Sequence, residues 1–133
     1  MADTPSIFRI TLQVSNLKAA SEFYSTLLDS KARDIRGSRT YFDCGAVILA
    51  LIDPSAGGEP ARPMPDQVYF AVKDLDTVHG RARDLRCLSK DDVHGKPGGL
   101  IVIRPWGERS FYCEDPFGNQ LCFVDQNTIF TGK

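Results

Sequence analysis

The sequence predicts an α+β fold in which two βαβββ modules form paired, curved, mixed sheets with the helices outside. Three observations support this prediction. A strand, a helix and three strands follow one another twice along the chain. Residues 14–17 (VSNL) return as residues 72–75 (VKDL), and the glycine-led strand at 45–51 matches a second one at 118–124. Because two independent patterns repeat in the same order, we interpret the chain as a duplicated unit.

The first module, about residues 5–53, begins with a strand. Apolar and polar residues alternate over 7–14 (IFRITLQV), which is typical of a half-buried strand. Asn16 can cap the helix that follows, where apolar residues recur at helical spacing over 17–28. Glycines then separate three short predicted strands, at 31–35, 40–44 and 47–52.

A linker at 54–65 joins the modules, because four prolines and two glycines disfavour a helix or an interior strand there. The second module, about residues 66–126, has a strand that starts near Gln67 and a helix capped by Asp74. A polar loop is predicted at 90–99 and a strand at 100–104. A hairpin then turns at residues 115–119 (DPFGN), between strands near 108–114 and 120–124.

Composition indicates a single domain over residues 1–133. The chain has 42% hydrophobic residues and a net charge of −1, with no basic stripe, so nucleic acid is not an expected partner. No apolar run reaches the roughly 20 residues of a membrane span. Its four cysteines form no C-x-x-C pair. We expect a cytoplasmic protein with reduced thiols and no membrane association.

Each predicted module leaves one sheet face uncovered by its single helix. Two such faces must meet, either within the chain or across a dimer, and the space between them is a natural ligand cleft. A two-fold partner can cover the remaining sheet edges. We therefore expect a small-molecule ligand and a homodimer.

Particular motifs resemble the vicinal oxygen chelate superfamily of glyoxalases, bleomycin-resistance proteins and dioxygenases. They are residues 9–17 (RITLQVSNL) with the following Phe23-Tyr24, the VKDL motif, and the DPFGN turn. The tripeptide at 105–107 (PWG), ahead of that turn, is most similar to the bleomycin-resistance branch. The resemblance covers nearly the whole chain and implies the paired-sheet fold, but the fold hosts many activities.

Enzymes of this superfamily hold a divalent metal with His, Gln and Glu side chains on the innermost strands. The resemblance places those positions at Arg9, Gln67 and Cys122, with a fourth near Leu49. A guanidinium cannot ligate a cation and would repel one. The resemblance therefore implies no bound metal, no other cofactor and no catalytic residue. His79 and His94 are interpreted as solvent-facing.

Strand parity gives the expected ligand-binding residues. They comprise aromatic side chains and a few donors: Arg9, Thr11, Leu49, Gln67, Tyr69, Trp106, Tyr112 and Cys122. Arg9 either binds an anionic ligand group or pairs with Glu114 or Asp43. Trp106 either stacks on a ligand or anchors a loop or dimer contact.

Three function hypotheses follow. The first is a metal-free binding protein of the bleomycin-resistance type that sequesters an aromatic or amphipathic molecule, an antibiotic for example. The second is an enzyme, either a metal-dependent glyoxalase-like lyase or a fosfomycin-type thiol transferase, because Thr11 and Tyr112 match positions that fosfomycin enzymes use around their substrate. The third is an interaction module whose cleft is filled by side chains.

Overall fold

The computed structural model describes residues 3–133 and confirms the α+β class. These described residues form two four-stranded mixed sheets, a two-stranded hairpin and two α-helices. The first sheet has the order β1-β4-β3-β2 and the second the order β5-β10-β9-β8. The elements are β1 (Arg9–Gln13), α1 (Leu17–Leu28), β2 (Arg33–Ile35), β3 (Arg39–Cys44), β4 (Val47–Ile52), β5 (Gln67–Val72), α2 (Leu75–Asp84), β6 (Asp92–Val93), β7 (Lys96–Pro97), β8 (Val102–Ile103), β9 (Arg109–Glu114) and β10 (Gln120–Asp125).

The two sheets have the same pairing scheme, as expected for a repeated unit. In each, the strand before the helix pairs in parallel with the last strand of the module, β1 with β4 and β5 with β10. The last strand pairs antiparallel with the strand before it. Since side chains alternate along each strand, one face of every sheet packs on the helices and the other is left open.

The helix-side faces of both sheets form a continuous core. Leu12, Leu51 and Phe42 from the first sheet and Phe111 and Phe123 from the second are almost fully buried in one cluster with the helices. Helix α1 begins after Asn16, whose side-chain oxygen accepts a hydrogen bond from the Ala19 backbone amide. The two modules are therefore joined through their helix-side faces, and the open faces lie outside this core.

A buried carboxylate joins the modules at their boundary. Asp115 is 3% exposed and accepts a hydrogen bond from the Tyr24 hydroxyl of α1, at 2.7 Å. It also accepts bonds from the backbone amides of Phe117 and Asn119 and from the Asn119 side chain. The side-chain amide of Asn119 also donates a hydrogen bond to the backbone carbonyl of Gln13 in β1, at 3.0 Å. The turn between β9 and β10 thus links the second sheet to the first module.

Two segments differ from the predicted structure. The linker contains a short 3-10 turn, Pro54–Gly57, in which proline occupies the first turn and the Asp53 side chain caps it. The predicted loop at 90–99 contains the β6–β7 hairpin. A Cβ at Gly99 would lie 2.6 Å from the Ser89 carbonyl oxygen, so the hairpin is held close to the preceding chain at this position.

Replacing Tyr24 with Phe tests whether its hydrogen bond to Asp115 stabilises the contact between the two modules. Loss of the hydroxyl removes one donor from a buried carboxylate, so we expect the free energy of unfolding to fall by about 1–3 kcal/mol. Urea denaturation followed by circular dichroism measures the change. Tyr41→Phe is the matched control, because Tyr41 is only half-buried, on the open face of β3. Equal stability of the two variants would show that the Asp115 contact does not hold the modules together.

Candidate functional site

The open face of the second sheet carries a row of three side chains. Tyr69, Cys122 and Tyr112 are direct neighbours across β5, β10 and β9. Tyr112 and Cys122 are almost fully buried, whereas Tyr69 is 56% exposed. Val93 of the β6–β7 hairpin packs against the cluster formed by Tyr112, Cys122 and Val124. The hairpin therefore covers one end of this face and leaves the β5 end accessible.

A cavity of about 430 Å³ lies at that accessible end. Its lining is mostly aromatic and aliphatic, with one carboxylate, and comes from the sheet, the loop before β9 and the C-terminal segment: Tyr69, Phe70, Ala71, Trp106, Glu108, Val124, Ile129 and Phe130. An apolar cavity with few polar groups is the usual setting of a small-molecule site.

The carboxylate of Glu108 positions two walls of the cavity. One oxygen accepts a hydrogen bond from the Trp106 indole N–H at 2.7 Å, and the other accepts one from the Phe130 backbone amide at 3.0 Å. The His94 ring meets the Trp106 ring edge-on, with the centroids 4.9 Å apart. The indole is thus oriented from two sides, and the C-terminal segment is attached to the same residue.

A buried guanidinium lies on the same open face. Arg104 is 3% exposed and donates to the Ser110 side chain at 2.9 Å and to the Ser110 carbonyl at 3.1 Å. Its guanidinium carbon lies 4.9 Å from the centroid of the Tyr112 ring. Its second terminal nitrogen, Nη1, has no hydrogen-bond partner among the described residues. This positive charge is thus stabilised by a ring and a serine rather than by a carboxylate.

Cys122 is a protonated thiol at neutral pH. Burial raises its pKa to about 11, although hydrogen bonds with Ser110 and Tyr112 and the charge of Arg104 act in the opposite direction. Burial, followed by the neighbouring Cys122, also raises the pKa of the Tyr112 hydroxyl. Nucleophilic chemistry needs a thiolate, so the environment of Cys122 favours an inert side chain.

The open face of the first sheet is exposed and charged. Arg9 and Thr11 are exposed there, and the Arg9 guanidinium lies over the rings of Phe8 and Tyr41, at 4.8 and 5.8 Å. The proposed ion pair of Arg9 with Asp43 or Glu114 is wrong. Asp43 instead forms a bidentate pair with Arg33, at 2.8 and 2.9 Å, and Glu114 accepts from Gln120.

Leu49 does not share this open face. It is 2% exposed in the common core, and it lines a second cavity, of about 490 Å³, between the modules. The residue opposite Arg9 in the β1–β4 register is Ile48. Leu49 is therefore not a residue of this open face, where the aliphatic Ile48 is the neighbour of Arg9.

The predicted ligand-binding residues fall into separate groups. Tyr69 and Trp106 line the aromatic cavity together, while Tyr112 and Cys122 lie under the hairpin. Gln67 is half-buried opposite Gln120 at the start of β5. Arg9 and Thr11 belong to the other sheet.

Sequence reasoning missed Arg104, Glu108, Ile129 and Phe130. One sequence feature could have indicated Glu108: it lies two residues after the only tryptophan, within reach of a hydrogen bond from the indole N–H. Interpretation of the histidines was wrong for His79, which is half-buried and hydrogen-bonded through its ring to the Gly99 carbonyl oxygen at 2.8 Å. His94 is exposed as expected, apart from its contact with Trp106.

The chain belongs to the Glyoxalase/Bleomycin resistance protein/Dioxygenase superfamily, whose family model matches residues 6–123. No curated protein gives a significant match. Solved structures similar to this chain include lactoylglutathione lyase from Agrobacterium tumefaciens, 22% identical, with a TM-score of 0.66 and coverage of 93% of this chain and 96% of that chain.

Two further similar structures are oxidases. Oxidase ChaP-H2 is 25% identical with a TM-score of 0.73, and the match covers 92% of this chain and 94% of that chain. Oxidase ChaP-H1 is 22% identical with a TM-score of 0.76, and the match covers 98% of this chain and 100% of that chain. At this identity the likeness defines the fold, and the site must be interpreted from its own residues.

The residues that the resemblance assigned to metal positions do not form a donor set suited to a divalent cation. They are Arg9, Gln67 and Cys122, with a fourth near Leu49; one is a cation, one is a buried thiol with a raised pKa, and the open-face neighbour of Arg9 on β4 is the aliphatic Ile48. The Arg104 charge lies beside that thiol. Among residues 3–133, no three His, Cys, Asp or Glu side chains are grouped as a metal site.

We therefore expect purified protein exchanged against manganese, nickel, zinc or iron to retain each metal well below one equivalent. Elemental analysis after gel filtration measures this. Cys122→Ala should give the same result, because the thiol is not a ligand. One equivalent of metal in the unchanged chain that is lost in Cys122→Ala would overturn this interpretation of the site.

Proposed function

We propose that this chain is a metal-free small-molecule binding protein of the bleomycin-resistance type, which sequesters an aromatic or amphipathic ligand. Antibiotics are one such ligand class. The observation that carries the proposal is the cavity between Tyr69, Trp106 and Phe130, in which large rings surround an accessible space on the open sheet face. Its dimensions fall in the usual range for ligand pockets, about 300–1,000 Å³.

The chemistry of the lining supports binding rather than turnover. Glu108, the carboxylate of the cavity, already accepts two hydrogen bonds that hold its walls. The nearby Cys122 thiol is covered by the hairpin and protonated. His79 points its ring nitrogen at a backbone carbonyl. Nucleophilic catalysis by Cys122 needs an accessible thiolate, and acid–base catalysis by His79 needs its ring within reach of the ligand.

A homodimer is the second part of the proposal. The open face of the first sheet exposes Arg9 and Thr11, and Ile7 and Phe8 beside it are exposed apolar residues, at 72% and 59%. Exposed apolar groups on an uncovered sheet favour a partner surface. A two-fold partner would place a second sheet against this face and enlarge the ligand cleft.

The cysteines support a reducing location. All four are free, and three of them are buried. Among the described residues, no helix has the length and apolar composition needed to cross a membrane. We propose that the protein works in the cytoplasm, where thiols remain reduced.

Tyr69→Ala tests the ligand cavity. With a ligand found by thermal-shift screening of aromatic antibiotics, the loss of this ring should weaken binding about tenfold, as titration of Trp106 fluorescence would show. Ile103→Ala is the control, since Ile103 is 72% exposed on β8 and lies outside the cavity. Stoichiometric binding without consumption of the ligand supports the proposal. A panel in which no compound raises the melting temperature counts against it.

Light scattering tests the dimer. At micromolar concentration we expect twice the chain mass. Thr11→Arg adds a long charged side chain to the open face and should shift the protein towards the monomer. Thr26→Arg, on the exposed side of α1, is the matched control and should leave the mass unchanged. An unchanged chain that is monomeric at this concentration would refute the dimer.

A further inference from the structure

The aromatic cavity combines exposed rings with a carboxylate that lacks a cationic partner. Tyr69 and Phe130 are 56% and 54% exposed, and both line the cavity with Trp106 and Glu108. Among residues 3–133, no lysine, arginine or histidine lies within ion-pair distance of Glu108. The described residues that line the cavity are thus aromatic and aliphatic, with one carboxylate and no cationic side chain.

The hydrogen bonds of Glu108 leave its charge uncompensated. Its two donors, the indole of Trp106 and the backbone amide of Phe130, are neutral groups. A carboxylate can accept about four hydrogen bonds, so two donors do not saturate it. The bonds orient the carboxylate and the indole together at one wall of the cavity.

Among the described residues, neither neighbouring arginine forms an ion pair with Glu108. Arg109 is adjacent in sequence, but its guanidinium lies 3.1 Å from Asp76 and 3.7 Å from Asp125. Arg104 is buried over the Tyr112 ring and bonded to Ser110. Neither arginine balances the Glu108 carboxylate, so a cationic group of a ligand could do so.

We propose that the cavity is an aromatic cage for an organic cation, and that its ligand carries a tertiary or quaternary ammonium group. The faces of Trp106, Tyr69 and Phe130 provide cation–π attraction, and Glu108 balances the charge. A quaternary ammonium has no N–H group and a tertiary one has a single N–H, so both lose less hydration in such a cage than a primary ammonium does, whereas a carboxylate ligand would be repelled by Glu108. This inference rests on the proposed binding function and specifies its ligand class.

The test uses two probes of the same shape and different charge, phenyltrimethylammonium and tert-butylbenzene. Trp106 is the only tryptophan of the chain, so its fluorescence reports binding at the cavity directly. We expect the cation to bind about tenfold more tightly than the neutral probe, in line with cation–π attraction in partly desolvated sites. Titration of the full chain measures both dissociation constants.

Glu108→Gln removes the charge and keeps an acceptor oxygen for the indole. We expect it to reduce the preference for the cation over tert-butylbenzene by about fivefold or more. The single amide oxygen cannot accept from both the indole and the Phe130 amide, so the affinity for tert-butylbenzene in the same variant measures any loss that comes from the cavity wall and not from the charge. Glu22→Gln, an exposed carboxylate on α1, is the matched control and should retain the full preference. Circular dichroism and the melting temperature confirm that each variant is folded.

The outcomes separate this inference from the binding function. Equal affinity for the two probes, or a preference that survives in folded Glu108→Gln, overturns the ammonium cage while leaving an aromatic binding site. If neither probe nor any compound of the antibiotic panel changes the fluorescence or melting temperature, the binding function itself fails. A cation preference that disappears only in Glu108→Gln supports the cage.

Discussion

The buried carboxylate of Asp115 accepts hydrogen bonds from the side chains of Tyr24 and Asn119 and from two backbone amides, and the relative position of the two sheets depends on these bonds. Such a charge is tolerated in a core only when its oxygens are well supplied with donors. Asn119 extends the network to the Gln13 carbonyl and to the Met64 amide of the linker. One turn therefore positions the first module, the linker and the open face that carries the cavity.

The open faces of the two sheets carry different side chains, although the modules share one pairing scheme. The second face is covered at one end by Val93 and keeps its aromatic cavity at the other. The first is bare, with Arg9 and Arg33 lying over Tyr41. The side chains that the resemblance assigned to metal positions, Arg9, Gln67 and Cys122, are unsuited as a set to a divalent cation. In the proposed binding function, the shape of the cavity, its aromatic rings and the Glu108 carboxylate recognise the ligand.

Much of the fold could be predicted because its signals are local and repeated. Alternation placed Tyr69 on the open face of β5, and the DPFGN turn located the last hairpin. Leu49 was assigned to the wrong face because residues 47–52 are apolar throughout, so they contain no parity signal.

The rest of the site depends on tertiary contacts. The β6–β7 hairpin has two-residue strands in a glycine-rich stretch, too short for a periodic pattern. Phe130 lies beyond the second module, and its backbone amide is bonded to Glu108 at the cavity wall, a contact that no local sequence pattern indicates. Arg104 lies in an apolar strand pattern, and its burial over Tyr112 could not be predicted from its neighbours in sequence.

The β6–β7 hairpin has an evolutionary consequence. Its base is held where the chain at Gly99 approaches Ser89, and its tip contacts the site through Val93 and His94. Substitutions at the tip would change the surface that the hairpin presents to the site, without disturbing any strand of the two main sheets. Changes confined to this short segment can therefore alter the proposed ligand site while the two main sheets and their common core keep their contacts.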